Sequence, residues 1–125
     1  MKEYPFIYTI EENDYRLFPD DLENNPHIFF HGTAEKNLDS ILRNGFRISG
    51  NLPSVSFANN SSLPLSYACN SRNESSPNGV VIAVRYEDVT LPYIRVESFG
   101  LHVDSMKNQP ALVGFCIVPA NYVYA

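Results

Sequence analysis

Residues 28–46 read IFFHGTAEKNLDSILRNGF, a run in which the spacing of apolar residues changes from that of a strand to that of a helix. The aromatic and β-branched first part predicts a strand over His27–His31. A helix is predicted over Ala34–Asn44, because Thr33 is a favourable N-cap residue and Gly45 a favourable C-terminal stop. Three apolar residues at helical spacing are expected to form the buried face of that helix: Leu38, Ile41 and Leu42.

Strands are predicted on both sides of this stretch, and they outnumber the helices. Runs rich in β-branched and aromatic residues predict them at Phe6–Ile10, Val80–Tyr86, Pro92–Val96, Leu101–Val103, Ala111–Val118 and Tyr122–Tyr124. The last two runs are either two strands or one long strand broken at Pro119. A second, shorter helix is predicted over Leu63–Asn70, where Ser61 or Ser62 can cap the N-terminus and Pro64 is tolerated in the first turn. Because helices and strands do not alternate, we expect an α+β fold with split, mostly antiparallel β-sheets and two short helices.

Composition excludes several classes of protein. The chain has 125 residues, which suffices for a single domain, residues 1–125, with one core. The aromatic content of 13% argues against a disordered chain. The net charge of -5 argues against a general nucleic-acid-binding protein, since such proteins carry basic residues along the phosphate backbone. No apolar run is long enough to cross a membrane and no secretory signal is apparent, so we expect no membrane association and a cytoplasmic location, in a bacterium or its host.

Cysteine and histidine spacing indicates neither a disulfide framework nor a metal centre. Cys69 and Cys116 lie in apolar surroundings and are expected to be reduced core residues. His27, His31 and His102 lack metal-ligand spacing with one another or with a cysteine, so we expect no metal.

Three motifs succeed one another along the chain. FFHGT at residues 29–33 precedes the helix that closes in Gly45, and VSFANNSSLPLSYA follows at residues 55–68. This ordered set resembles the ADP-ribosyltransferase fold, in its diphtheria-toxin-like and PARP-like branch. That branch has a strand ending in His-Gly-Ser/Thr, a helix closing in Gly, a strand ending in Tyr-Phe-Ala and a short helix that carries a tyrosine. The resemblance by motif covers Phe29 to Tyr67 and rests elsewhere on the strand pattern alone.

The resemblance implies that NAD is the substrate and that nicotinamide is released as ADP-ribose is transferred. It places His31 on an adenosine ribose hydroxyl, the backbone of Gly32 on the nicotinamide carboxamide and the ring of Tyr67 on the nicotinamide face. The remaining NAD-binding positions that it implies are Thr33, Ser56, Phe57 and Ala58, with a hydroxyl from Ser61 or Ser62.

The sequence departs from the family pattern at two positions. Ser56 replaces the tyrosine of Tyr-Phe-Ala, although Ser54-Val55-Ser56 is also similar to the Ser-Thr-Ser element of the arginine-targeting branch. The family's catalytic glutamate precedes the final hairpin, where this chain has Gln109. Glu97 is the alternative carboxylate, and Gln109 is the favoured positional match. A glutamine lacks the charge that stabilises an oxocarbenium ion, so transfer is expected to be mono rather than poly, and weak or absent.

Three functions therefore remain open. The first is a mono-ADP-ribosyltransferase, in a phage protein, a bacterial effector or a toxin, that acts on an acceptor expected to be a protein. The second is a non-catalytic module on the same fold that binds NAD, ADP-ribose or a protein partner. The third is an RNA 2'-phosphotransferase-like enzyme, which the scarcity of basic residues disfavours. The segment from Leu91 to Gln109 is where the resemblance implies contact with the acceptor, through Tyr93, Arg95, Phe99 and His102.

Overall fold

The computed structural model describes residues 1–8, 12, 14–48 and 52–124. Across these residues seven strands form a mostly antiparallel sheet accompanied by three α-helices, so the α+β class is confirmed. The strands are β1 (Lys2–Glu3), β2 (Ile28–Ala34), β3 (Val55–Ala58), β4 (Gly79–Arg85), β5 (Ile94–Glu97), β6 (Gly100–Val103) and β7 (Ala111–Val118). The helices are α1 (Asp20–Glu23), α2 (Leu38–Asn44, preceded by a 3-10 turn over Glu35–Asn37) and α3 (Ser62–Asn70).

The strands form one sheet in the order β1-β7-β4-β2-β3-β6-β5, and only the β1–β7 pair is parallel. β2 pairs with β4 along seven residues, but it meets β3 at the single pair Phe30–Ala58. The expected separation into two sheets is therefore wrong for the described residues, although the join between the two halves is one pair wide.

Both faces of the sheet carry core residues, and β4 is buried on both. Val80, Ile82 and Val84 face a cluster that includes α2, whereas Val81 and Ala83 face a cluster that includes α3. All five side chains are inaccessible to solvent. A strand covered on both faces is expected to be continuously apolar, which is why this run was predictable.

The first predicted helix begins later than expected. Thr33 and Ala34 belong to β2, since the ladder with β4 continues to the Ala34–Gly79 pair. Thr33 is therefore not a helix cap, and its hydroxyl accepts a hydrogen bond from Asn37 Nδ2. Gly45 does end α2, as predicted, and its N–H donates to the Ile41 carbonyl. Leu42 is 41% exposed because this short helix contacts the sheet only along a narrow stripe.

Strands were wrongly predicted at both ends of the chain. Residues 6–8 are irregular, and residues 9 and 10 lie outside the described part. Residues 122–124 follow a turn in which the Tyr122 N–H donates to the Pro119 carbonyl. The rings of Phe6 and Tyr122 meet edge to face at 5.1 Å, so these aromatic residues pack as side chains rather than as strands.

Two differences concern the remaining elements. The short helix α1 was not predicted; its four residues are too few to show a helical period. The predicted strand Pro92–Val96 is displaced to Ile94–Glu97, where it pairs with β6. No helix in the described ranges combines the length and the apolar character needed to cross a membrane.

Candidate functional site

The candidate site is the opening between β2 and β3, here called the β2–β3 cleft, where the two strands diverge after Phe30–Ala58. The His31 side chain lies in this opening, and its Nδ1 is 2.8 Å from the Ser56 carbonyl oxygen. Its ring packs against Phe46 at 5.2 Å and Phe57 at 5.5 Å. The imidazole is thus held by one hydrogen bond and two aromatic neighbours.

The hydrogen bond of His31 determines what the other ring nitrogen can do. A carbonyl oxygen only accepts, so Nδ1 carries the proton and donates it to Ser56. Burial lowers the pKa of His31 below its ordinary value, and the hydrogen bond to Ser56 opposes that shift. The imidazole is therefore neutral at neutral pH, and Nε2 is an acceptor for a hydroxyl or amide donor of a ligand.

The backbone of Gly32 faces the cleft, as the ladder with β4 shows. The His27 carbonyl accepts from the Tyr86 N–H, and the Glu35 N–H donates to the Asn78 carbonyl. In an antiparallel strand the backbone N–H and C=O groups of successive residues point to opposite sides. Those of the odd-numbered residues of β2 therefore point towards β4 and hydrogen-bond with it. The N–H and C=O of Gly32 consequently point towards β3, where the strands have separated.

Helix α3 covers the opposite side of Gly32. A Cβ atom at Gly32 would lie 1.9 Å from the Pro64 carbonyl oxygen, so only a glycine allows this approach. Tyr67, nearly one turn further along α3, reaches the edge of the cleft and is 49% exposed. The packing of Pro64 on Gly32 therefore determines where the Tyr67 ring stands.

Two cavities adjoin the cleft, and His31 and Ser56 line both. The smaller has a volume of about 10 Å³ and is bordered by predicted site residues: His31, Gly32, Ser56, Phe57, Ala58 and Tyr67. That volume holds one water molecule, so an aromatic ligand requires the Tyr67 side chain to move outward. The larger has a volume of about 320 Å³ and is lined in part by Thr33, Asn37, Ser40, Arg47 and Ser54.

Ser61 lies apart from the cleft. It is fully buried, its hydroxyl donates to Glu23 Oε2, and its N–H donates to Glu23 Oε1 at 3.0 Å. The same hydroxyl accepts from the Leu17 N–H at 2.8 Å. Ser61 therefore joins the start of α3 to the segment around α1, and the expectation that it contacts NAD has no support in this placement. Ser62 is also elsewhere, with its Oγ 3.2 Å from the Tyr124 hydroxyl.

Gln109 holds the backbone of the segment that follows α2. Its Oε1 accepts from the Phe46 N–H at 2.7 Å, and its Nε2 donates to the Phe46 carbonyl at 2.7 Å. Nε2 also donates to the Met106 carbonyl at 2.6 Å. Both Nε2 hydrogens and one acceptor position of Oε1 are thus used in holding the backbone of Phe46 and Met106, and Phe46 in turn packs against His31. Gln109 is not among the described residues that line the two cavities.

Gln109→Glu tests this interpretation. A carboxylate would bring an oxygen against the carbonyls of Phe46 and Met106, so we expect a loss of about 2 kcal/mol in the free energy of unfolding, measured in urea. If Gln109 instead occupied a catalytic position, the restored carboxylate would raise nicotinamide release. Asn108→Asp makes the same chemical change at the neighbouring residue, whose Nδ2 makes one side-chain contact, at 3.3 Å from the Tyr93 hydroxyl, and it should alter stability by less than about 0.5 kcal/mol.

Glu97 lies on the hairpin between β5 and β6, near the cleft but not in it. It is exposed and its Oε1 is 4.0 Å from Arg95 Nη1. Phe99, two residues on, borders the smaller cavity, and its carbonyl accepts from the Asn59 N–H. Among the described residues that line the two cavities there is no carboxylate.

Sequence reasoning did not single out Asn37, Ser40 and Arg47, which supply polar groups to the larger cavity. Their types are common in turns and on exposed helix faces, so no local pattern distinguishes them. Their shared position depends on how the 3-10 turn and α2 pack beside β2. The buried Glu23 was missed for the same reason, because its partner Ser61 is 38 positions away.

In the described part of the chain, no three His, Cys, Asp or Glu residues are grouped so that they could hold a metal ion. No family model, no curated protein and no solved structure matches this chain.

Proposed function

We propose that this chain binds NAD in the β2–β3 cleft and transfers its ADP-ribose to an acceptor, expected to be a protein, with release of nicotinamide. The motif resemblance supports this proposal, and one structural observation carries it. The acceptor nitrogen of His31, the outward-facing backbone of Gly32 and the exposed ring of Tyr67 all border the same opening.

The nicotinamide end of NAD matches the chemistry of the smaller cavity. A carboxamide has one carbonyl acceptor and one amide donor, which are complementary to the N–H and C=O of Gly32. The face of the pyridine ring would lie against Tyr67, whose exposed side chain can turn outward to admit it. The stacked arrangement therefore forms on binding.

The remainder of NAD fits the larger cavity, which joins the smaller one at His31 and Ser56. Nε2 of His31 can accept from a ribose hydroxyl, and the guanidinium of Arg47 can donate to the diphosphate. Thr33, Asn37 and Ser40 add hydroxyl and amide groups suited to a ribose-phosphate chain.

The positions of Gln109 and Glu97, the two candidate catalytic residues, lead us to expect weak catalysis. Cleavage of the glycosidic bond develops positive charge on the ribose, which a carboxylate in the cleft would stabilise. Gln109 is bound to Phe46 and Glu97 lies outside the cavities. We therefore expect slow transfer of single ADP-ribose groups. The same observation favours a second candidate function, a module that binds NAD or ADP-ribose without cleaving NAD.

Titration of NAD by calorimetry together with an assay for released nicotinamide tests both functions. His31→Ala removes the proposed acceptor and should weaken NAD binding about tenfold while lowering nicotinamide release to background. His27→Ala is the matched control: His27 also contacts a backbone carbonyl through Nδ1, that of Tyr86 at 3.3 Å, but it lies outside the cleft.

The outcomes separate the alternatives. Release that His31→Ala abolishes and His27→Ala preserves supports the transferase. Binding that depends on His31 without any release supports the non-catalytic module. An absence of NAD binding by the wild-type protein contradicts both.

A further inference from the structure

Ser54 and His102 form a pair at the edge of the β2–β3 cleft that the proposed NAD contacts leave unused. Ser54 Oγ lies 3.4 Å from His102 Nδ1, and both residues are half-buried. Ser54 also lines the larger cavity. The Ser54 hydroxyl therefore borders the larger cavity and lies close to an imidazole. Their separation is typical of a nucleophile and its base before a ligand binds.

The sheet register places His102 on the same face as the nicotinamide position. His102 pairs with Ser56, and Gly100 with Ala58, while Ala58 pairs with Phe30 on β2. Side chains of directly paired residues share a face, and so do residues two apart on one strand. The side of Gly32 against which Pro64 packs therefore lies on this same face of the sheet. Two strand spacings, about 10 Å, separate β2 from β6, and a nicotinamide ring with its attached ribose carbon spans most of that distance.

Two charged residues lie beside His102. Asp104 follows His102 by two residues, just beyond the end of β6, and Arg95 is paired with His102 across the β5–β6 ladder. Arg95 donates to both carboxylate oxygens of Asp104, at 2.9 and 3.0 Å, and these bonds lower the pKa of Asp104. Asp104 is therefore ionised at neutral pH and forms an ion pair with Arg95 beside His102. The ring of Phe99, 5.1 Å from that of His102, covers it on another side.

The other hydroxyl groups of the cleft are placed differently. The Thr33 hydroxyl accepts from Asn37, and His31 contacts the carbonyl of Ser56, to which it donates its Nδ1 proton. Within the described residues that line the larger cavity, Ser54 is the hydroxyl with a recorded imidazole contact at its oxygen.

We propose that Ser54 is a site of self-modification by ADP-ribose and that His102 is the base that activates it. The inference rests on the proposed transferase function. The bond between nicotinamide nitrogen and ribose C1' breaks, and nicotinamide leaves with the bonding electrons. Ser54 Oγ forms the new bond to C1', and its proton passes to His102 Nδ1 and then to solvent. NAD and the serine hydroxyl thus yield ADP-ribosyl-serine, nicotinamide and one proton.

Incubation of the purified protein with NAD, followed by peptide mass spectrometry and a nicotinamide assay, tests the proposal. We expect one ADP-ribose on Ser54, which Ser54→Ala eliminates and His102→Gln reduces at least about tenfold. Ser98→Ala is the matched control, since Ser98 is an exposed serine in the turn between β5 and β6 and lines neither cavity. Calorimetric NAD titration of each variant establishes that the ligand still binds.

The labelling and nicotinamide results distinguish modification of Ser54 from NAD cleavage alone. Labelling of Ser54 that depends on His102 and survives Ser98→Ala supports the proposal. Labelling elsewhere, labelling that persists in Ser54→Ala or His102→Gln, or nicotinamide release without labelling overturns it and leaves NAD cleavage standing. No nicotinamide release from the wild-type protein overturns both this inference and the transferase function.

Discussion

Replacing Glu23 by alanine should lower the free energy of unfolding by about 3 to 5 kcal/mol. The Glu23 carboxylate is 4% exposed and accepts hydrogen bonds from the Phe18 N–H, the Ser61 N–H and the Ser61 hydroxyl. Alanine would leave these three buried donors unpaired, and each carries a desolvation cost of about 1 to 3 kcal/mol. The midpoint of urea unfolding, read by circular dichroism, measures the loss.

Asp21→Ala is the control, because Asp21 is a carboxylate in the same short helix but is exposed. Its removal should change the stability by less than about 0.5 kcal/mol. Equal effects of the two substitutions would mean that helix α1, rather than the buried hydrogen bonds, determines the loss. An unchanged midpoint for Glu23→Ala would contradict the buried network itself.

The second large effect is expected for Gly32→Ala. The added methyl group would lie 1.9 Å from the Pro64 carbonyl oxygen, and a backbone atom cannot move aside as the end of a side chain can. α3 would have to shift as a whole, at a cost of about 3 kcal/mol or more. Because Tyr67 moves with α3, NAD binding should be lost as well. Urea unfolding and NAD calorimetry on the same preparation measure the two effects.

Thr33→Ala provides the comparison for Gly32→Ala. Thr33 is the next residue of β2, half-buried, with its hydroxyl accepting from Asn37. Its substitution should cost about 1 kcal/mol. If Gly32→Ala were as mild as Thr33→Ala, the close approach of α3 to β2 would be wrong, and with it the position assigned to Tyr67.

The centre of the fold was predictable because it depends on local pattern. The run that became β4 is continuously apolar, and a strand covered on both faces requires this. α2 ends where Gly45 adopts a φ of +79°, a conformation that glycine tolerates and other residues rarely adopt. The errors arose at Tyr122–Tyr124 and at Phe6, where aromatic residues with strand propensity pack through their rings instead. Strand propensity depends on the residue type and on its neighbours in the sequence. It does not indicate which residues pack against that side chain in the folded protein.

The candidate site was predictable only as a set of positions. The motifs indicated His31, Gly32 and Tyr67, and the structure brings these three residues to one opening. Gln109 was chosen for its position before the last strand, but its amide is bound to Phe46, 63 positions away in the chain. Ser61 was chosen as a neighbour of α3, but its hydroxyl is bound to Glu23. The transfer of ADP-ribose itself stays a prediction.

By itself the sequence determined the α+β class and the strand-to-helix unit around His31, since both depend on short-range periodicity. Only the tertiary structure decided which hydroxyl, amide and carboxylate groups are free to meet a ligand. A hydrogen-bonding group is free or occupied according to what lies beside it, and for Ser54, Ser61 and Gln109 that neighbour comes from a distant part of the chain.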